Sequence, residues 1–386
     1  MLGHGFTDDD KSDSLQTLKD NVQLFTPEIL DKINQVVVRA GLKLKKKDCL
    51  RGRCDSFVVE TKVHYPTDIN LLFDAMRKTI ALTADYAEIT HLGGWRQRKY
   101  NIRQVKRAYR AAQQIKRSTS KDNAKKQKQE EAIIQAHQDY IELATQFIDK
   151  SKTTLAEKVT PPDLMTVIKA LEIETFITHA ERQINQIKRR VIKSEKIPHE
   201  EKVFSLFQPH TEWISKGKAG VSVELGLKVC ILEATQGYIL HHRVMQKETD
   251  NQIAIDMITE TQVRYPDFNG CSYDKGFHSP ENQIELAKKR DHLVLPKKDR
   301  CNKTEKERES REAFRTSKRK HSAVESGINA LEVHGLDTCP DHGITGFKRY
   351  VALAIVARNI QKLGSELITK IRKQEKRRRD RDKLAA

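Results

Sequence analysis

Negative charge is what this chain is short of. Across 386 residues, 53 Asp and Glu face 71 Lys and Arg, leaving a formal charge of +18 and a pI near 9.5. That balance points to a polyanion, nucleic acid first, whether it is only bound or also cut. Long apolar runs are missing too: nothing approaches the roughly 20 consecutive apolar residues of a spanning helix, so no membrane partner is expected. The first ten residues lack the basic-then-apolar pattern of a secretory leader, which makes a cytoplasmic, nucleoid-associated location the expectation. Six scattered cysteines do not make a disulfide framework. The GxxxxGK[ST] spacing of a P-loop is absent, so nucleotide hydrolysis has no support. With 37% hydrophobic residues a real core is possible, and the length suits two or three domains.

The period of the apolar residues changes along the chain. Ile29, Leu30, Ile33, Val36 and Val37 recur at helical spacing up to Gly41. Residues 54–63, rich in β-branched and aromatic side chains and closed by Pro66, predict a strand. Thr67 or Asp68 then caps a helix carrying Ile69, Leu72, Phe73 and Met76 on one face. Residues 95–128 hold thirteen Lys and Arg against the single acid Asp122 and read as one long helix. Trp95, Tyr100 and Tyr109 interleave with Arg96, Arg98, Lys99, Arg103, Lys106, Arg107 and Arg110, as on a surface that follows a phosphate backbone. A loop is expected at Pro161-Pro162 and another helix over 165–192. Beyond Pro198, residues 203–207, 221–233 and 237–245 have the alternation of antiparallel strands. A helix over 251–263, a short strand ending at Asp274 and a helix opened by Ser279-Pro280-Glu281 follow. Residues 300–320 read as a charged connector, 322–336 and 346–371 as helices, and the remainder as a basic tail.

Chemistry on phosphodiesters commonly uses two divalent ions held by carboxylates, so the question is which acids converge. Asp55 opens an apolar strand, a costly place for a charge unless it is paired or ligated. Asp274 follows a strand and precedes a Gly turn, where open α/β sheets place their sites. Glu325 sits four residues from both His321 and Asn329, which puts all three on one helical face. Taken singly each acid has an ordinary explanation: a turn residue, an Asx turn, a solvent-facing helix position. Lys216-Gly217-Lys218-Ala219-Gly220 offers either a phosphate-approaching loop or a plain hairpin turn. His334, Cys339, Asp341 and His342 lack the paired spacings of a zinc site and favour a helix-ending loop.

Several motifs in order make the pattern specific. Phe207-Gln208-Pro209-His210-Thr211-Glu212-Trp213, Tyr273-Asp274-Lys275-Gly276-Phe277, His321-Ser322-Ala323-Val324-Glu325 and the earlier Cys54-Asp55-Ser56-Phe57-Val58-Val59-Glu60-Thr61 resemble bacterial insertion-sequence transposases of the DDE type over about residues 42–364. The resemblance implies an α/β fold, a ribonuclease-H-like mixed sheet with a large helical insertion between its first and second strands. Its first strand would bear Asp55, its fourth would end in Asp274, and a later helix would bear Glu325. Glu224, on the second strand, is the rival for the first acid.

The expected segments are a helical region over 1–50, the first catalytic strand in 51–70, a DNA-contacting helical insertion over 71–198, the rest of the core over 199–370, and a tail over 371–386. Asp55, Asp274 and Glu325 would hold two Mg²⁺ (or Mn²⁺) ions, and the basic residues just named, with Lys216 and Lys218, would hold DNA. The implied activity is metal-dependent cleavage at transposon ends and strand transfer into target DNA by a homodimer. A catalytically degenerate DNA-binding relative and a nuclease without strand transfer are the alternatives.

Overall fold

The computed structural model describes residues 14–45, 49–115, 119–157, 163–215, 222–289 and 292–385. In chain order, helices α1 (Leu15–Gln23) and α2 (Pro27–Lys43) lead to strand β1 (Leu50–Thr61). Four helices follow: α3 (Asp68–Ile89), α4 (Arg98–Gln114), α5 (Asn123–Ala156) and α6 (Leu164–Ile187). Next come β2 (Glu212–Ser215), β3 (Val223–Ala234), β4 (Ile239–Val244), α7 (Asp250–Arg264), β5 (Phe268–Tyr273), α8 (Pro280–Lys289) and β6 (His292–Val294). The chain continues through α9 (Lys303–Ser310), α10 (Glu312–His321), α11 (Ala323–Leu331), β7 (Thr338–Cys339) and α12 (Gly343–Ala385). None of these helices is long and apolar enough to cross a membrane.

The chain divides into two compact units, residues 1–62 with 210–386, and residues 63–209. The first is a mixed α/β unit whose seven strands, among the described residues, form one open sheet in the order β2-β3-β1-β5-β6, with β4 pairing β3 and β7 pairing β1. β1 runs antiparallel to β3 and parallel to β5 and β7. Alternation along the strands divides the core in two. Cys54, Cys230, Leu232 and Ala234 pack with Ile253, Met257 and Ile258 of α7 and Leu286 of α8. Phe57, Val59, Leu227, Val229 and Ile231 pack on the other face with Val324 and Ile328 of α11 and Phe347, Val351 and Ile355 of α12. Gly226 lets β3 approach β1 closely: a Cβ there would stand 2.0 Å from the Val59 carbonyl oxygen. At the far end of β1, Thr61 and Thr211 share a hydroxyl hydrogen bond of 2.9 Å.

The second unit is helical. Leu72, Met76 and Ile80 of α3 meet Tyr140, Ala144 and Ile148 of α5 and Ile173, Ile177 and Ala180 of α6 in one core. Thr67 caps α3 through the Asn70 amide at 3.3 Å, and Asp163 caps α6 through the Thr166 amide at 2.7 Å.

Several expectations need correction. The basic stretch 95–128 is two helices, α4 and α5, the second started by the Asp122 side chain accepting from the Ala124 amide at 3.0 Å. Residues 203–207 form no strand, because Val203 and Leu206 turn into the helical core. The 300–320 connector is two helices, α9 and α10; a reciprocal Asn302/Glu305 cap and the Lys297–Glu305 ion pair at 2.7 Å use charges that read as solvated. The basic tail continues α12 without a break. The Pro161-Pro162 loop, Lys216 and Lys218 lie outside the described residues.

Candidate active site

Register creates the site. Cys54 of β1 faces Tyr273 in the last matched pair with β5, so Asp55 and Asp274 are the next residues on two parallel neighbours. β5 stops there, and β7 joins the same edge of β1 only at Glu60. Between the two, the edge of β1 has no strand neighbour among the described residues. Asp55, Ser56, Phe57 and Val58 line a cleft of about 360 Å³ at this break, together with Lys228, Asp250, Asp274 and Phe277. A crevice where neighbouring strands diverge is the usual place for a site in an open α/β sheet.

Tyr273 is buried and donates its hydroxyl to the Ala254 carbonyl at 2.9 Å, tying the end of β5 to α7. Asp274 is exposed and starts the turn Lys275–Phe277. Asp55 is half-buried, and its Oδ1 accepts from the Ser56 amide at 2.8 Å. Its carboxyl is nevertheless pushed up to about 6, chiefly by burial, with the charges of Asp274, Asp250 and Glu325 adding to the rise. Glu325 is exposed on α11 and does not line the cleft. Glu224 pairs in register with Ile214 of β2 and is not among the lining residues either.

His321 and Glu325 do not share one helix as expected: the helix is interrupted at Ser322, with His321 ending α10 and Glu325 in α11. His321 still approaches the acids. Burial lowers its imidazole, the Asp274 and Glu325 charges work the other way, and Arg53 adds to the lowering. Its Nδ1 lies 3.0 Å from the Ser272 hydroxyl, while Nε2 is buried with no hydrogen-bond partner among the described residues. Asn329 is exposed on α11.

Three further residues support this face. Glu233 of β3 is buried opposite Arg53 of β1, at 3.5 Å, and burial raises its carboxyl against the pull of Arg53, Arg358 and Lys362. Gly327 of α11 rests on that carboxylate: a Cβ there would stand 2.8 Å from Glu233 Oε1.

The donor set suits a hard divalent cation, because Asp55 and Asp274 offer oxygen only, and a cation between them would offset the burial and like charges that raise the Asp55 carboxyl. Among the described residues, however, no three His, Cys, Asp or Glu converge closely enough to hold a metal. The zinc spacing resolves as a helix end: His334 Nδ1 donates to the Ala330 carbonyl, Gly335 turns the chain at φ 99°, and burial pushes the Cys339 thiol up to about 11.

Asp250 was missed in the sequence. An acid in the first turn of a helix reads as a partner for the helix dipole, and nothing local signals that Ser56 donates to its Oδ1 at 2.6 Å.

In the helical unit, Arg96, Arg98, Lys99 and Arg103 line a cavity of about 1220 Å³ with Asp85, Glu88 and Tyr100. Arg98 is paired with Asp85 at 2.5 Å. Lys106, Arg107 and Arg110 lie farther along α4. Two of the three expected aromatics, Trp95 and Tyr100, line this cavity, and Tyr109 does not. Tyr100 is exposed, whereas Trp95 is buried with Nε1 donating to Thr154 at 2.9 Å, and Tyr109 stacks on Phe73 at 5.1 Å. No family model, curated protein or solved structure matches the chain.

Proposed function

We propose that the chain is a DDE transposase with a ribonuclease-H-like core, cutting DNA at transposon ends and joining the freed strand to target DNA. The observation that carries this reading is the meeting of Asp55 and Asp274 at the break in the β1 edge, with Glu325 near enough to raise the Asp55 carboxyl. The mixed sheet, antiparallel on one side of β1 and parallel on the other, suits that core.

Asp55, Asp274 and Glu325 would hold two Mg²⁺ or Mn²⁺ ions, which supply charge stabilisation for the attacking and leaving oxygens when bound. The chain's own groups do the rest. His321, whose imidazole is lowered by burial and lies within reach of the Asp274 and Glu325 charges, has an Nε2 without a hydrogen-bond partner among the described residues and would orient the acids or the scissile phosphate. Arg96, Lys99, Arg103, Lys106, Arg107 and Arg110 hold the phosphate backbone as cations along one stretch of chain. Two ends have to be joined, so a homodimer on DNA is the working unit in this reading, in the cytoplasm at the nucleoid.

Purified protein incubated with Mg²⁺ and a duplex carrying the element's ends tests it. Strand-transfer product supports the proposal, nicks alone indicate a nuclease, and a gel shift alone indicates a degenerate DNA-binding relative. Loss of cleavage in Asp274→Ala is required. A variant that cuts as well as the parent removes the site assignment.

A further inference from the structure

Among the described residues lining the cleft, three are carboxylates and one is a cation, Lys228. Its position is unusual. Lys228 stands in β3 between Leu227 and Val229, both fully buried, opposite Val58 of β1. A charge on an inner strand is costly unless something compensates it. Here Asp250 does, at 3.0 Å from the ammonium, yet the lysine side chain keeps 32% of its surface exposed. One proton of the ammonium goes to Asp250 Oδ2, and the others have no assigned acceptor among the described residues.

Asp250 is itself held. The Ser56 hydroxyl donates to Oδ1 at 2.6 Å, Thr249 and Gln252 cap the helix that begins at Asp250, and Gly276 leaves room for the carboxylate, since a Cβ there would stand 3.3 Å from Oδ2. Asp250 is therefore occupied by a cation and a hydroxyl, unlike Asp55, whose carboxylate accepts, among the described residues, from the Ser56 amide alone. The chemistry of the two acids differs accordingly: one is available to a metal, the other is a holder for a lysine.

We propose that Lys228 binds a DNA phosphodiester next to the scissile bond, and that Ser56 and Asp250 are positioning residues that aim its ammonium into the cleft. The inference rests on the transposase reading above and deepens it by naming the group that admits a polyanion to an acid-lined cleft.

The test uses the full chain and duplexes carrying the element's ends, each with one neutral methylphosphonate at successive positions around the cleavage site. Binding is measured with Ca²⁺ present and cleavage with Mg²⁺. For the parent protein, one position should cost about tenfold in affinity, the size expected for a charge-assisted contact. Lys228→Gln should bind unmodified DNA about tenfold more weakly, lose nothing further at that position, and show a shallower salt dependence; Lys228→Arg should restore most of the loss. Asp250→Asn should slow cleavage more than it weakens binding. A merely structural lysine would weaken binding equally for every duplex. The proposal is overturned if no position near the cleavage site affects the parent, or if Lys228→Gln retains the parent's full response. If the parent shows no Asp274-dependent cleavage, it is the transposase reading that fails, and the methylphosphonate scan still reports on Lys228 by itself.

Discussion

Asp55 and Asp274 are neighbours because their strands run parallel and the last matched pair, Cys54 with Tyr273, ends one residue before each of them. The strand that would have covered Asp55 stops at Tyr273, and the next one joins at Glu60. The two carboxylates thus meet in the cleft where the pairing ends, Asp55 half-buried and Asp274 exposed. Any shift of β5 by one residue would turn Asp274 away, since alternate residues point to opposite faces.

Ligation by Asp274 has a chemical signature. Asp274→Cys replaces a hard oxygen by a soft sulfur, so Mg²⁺-dependent cleavage should fall by about a thousandfold or more, while Mn²⁺ should recover part of it. Cleavage measured in each metal checks this. Equal loss in both metals would argue that Asp274 does not touch the ion.

The raised Asp55 carboxyl makes a prediction about stability. Because its folded value, about 6, lies above the ordinary carboxylate range, the unfolded chain ionises first as pH rises. The stability held below about pH 4 is therefore lost between about pH 4 and 6. A displacement of that size corresponds to on the order of 3 kcal/mol, an upper bound for a half-buried group. Metal-free Asp55→Asn should be more stable than the parent by about 1–2 kcal/mol at about pH 7.5, with the difference vanishing near pH 4, in urea melts. The same variant should not cleave, a trade between stability and function at one residue.

Gly327→Ala should displace α11 from Glu233, whose Oε1 would lie 2.8 Å from the new methyl group. Overpacking of this kind costs about 1–3 kcal/mol. Cleavage should fall further than melting alone explains, because Glu325 rides on the same helix. Glu233→Ala added to Gly327→Ala should return part of the stability if the clash is the cause.

On α4, Arg103→Ala, Lys106→Ala and Arg107→Ala should each weaken DNA binding and lower the salt slope by about 0.9 for every phosphate no longer neutralised. Arg98→Ala should do less, since Asp85 already occupies its guanidinium. Affinities at several salt concentrations distinguish the two cases.

Much of this was legible from local pattern. The β-branched run after Cys54, the Thr67 and Ser279 caps and the short strand before Asp274 all depend on residues near one another in the chain, and all are found. What the sequence hid depends on distant partners. Asp250 is defined by Ser56 and Lys228, Glu233 by Arg53 and Gly327, and the folding of residues 300–320 by a Lys297 that pairs with Glu305. Trp95 and Tyr109 looked alike in a basic helix and were separated from Tyr100 only by packing. The two-residue β7 is too short to carry a period.

The hydrogen bond between Thr61 and Thr211 marks where the chain departs from the sheet and comes back to it. The helical unit leaves the sheet just after one threonine and returns just before the other, through a doorway whose posts are fastened together. Both posts belong to the sheet unit, so the far end of the strand that carries Asp55 is fastened to the start of β2 by that unit's own side chains.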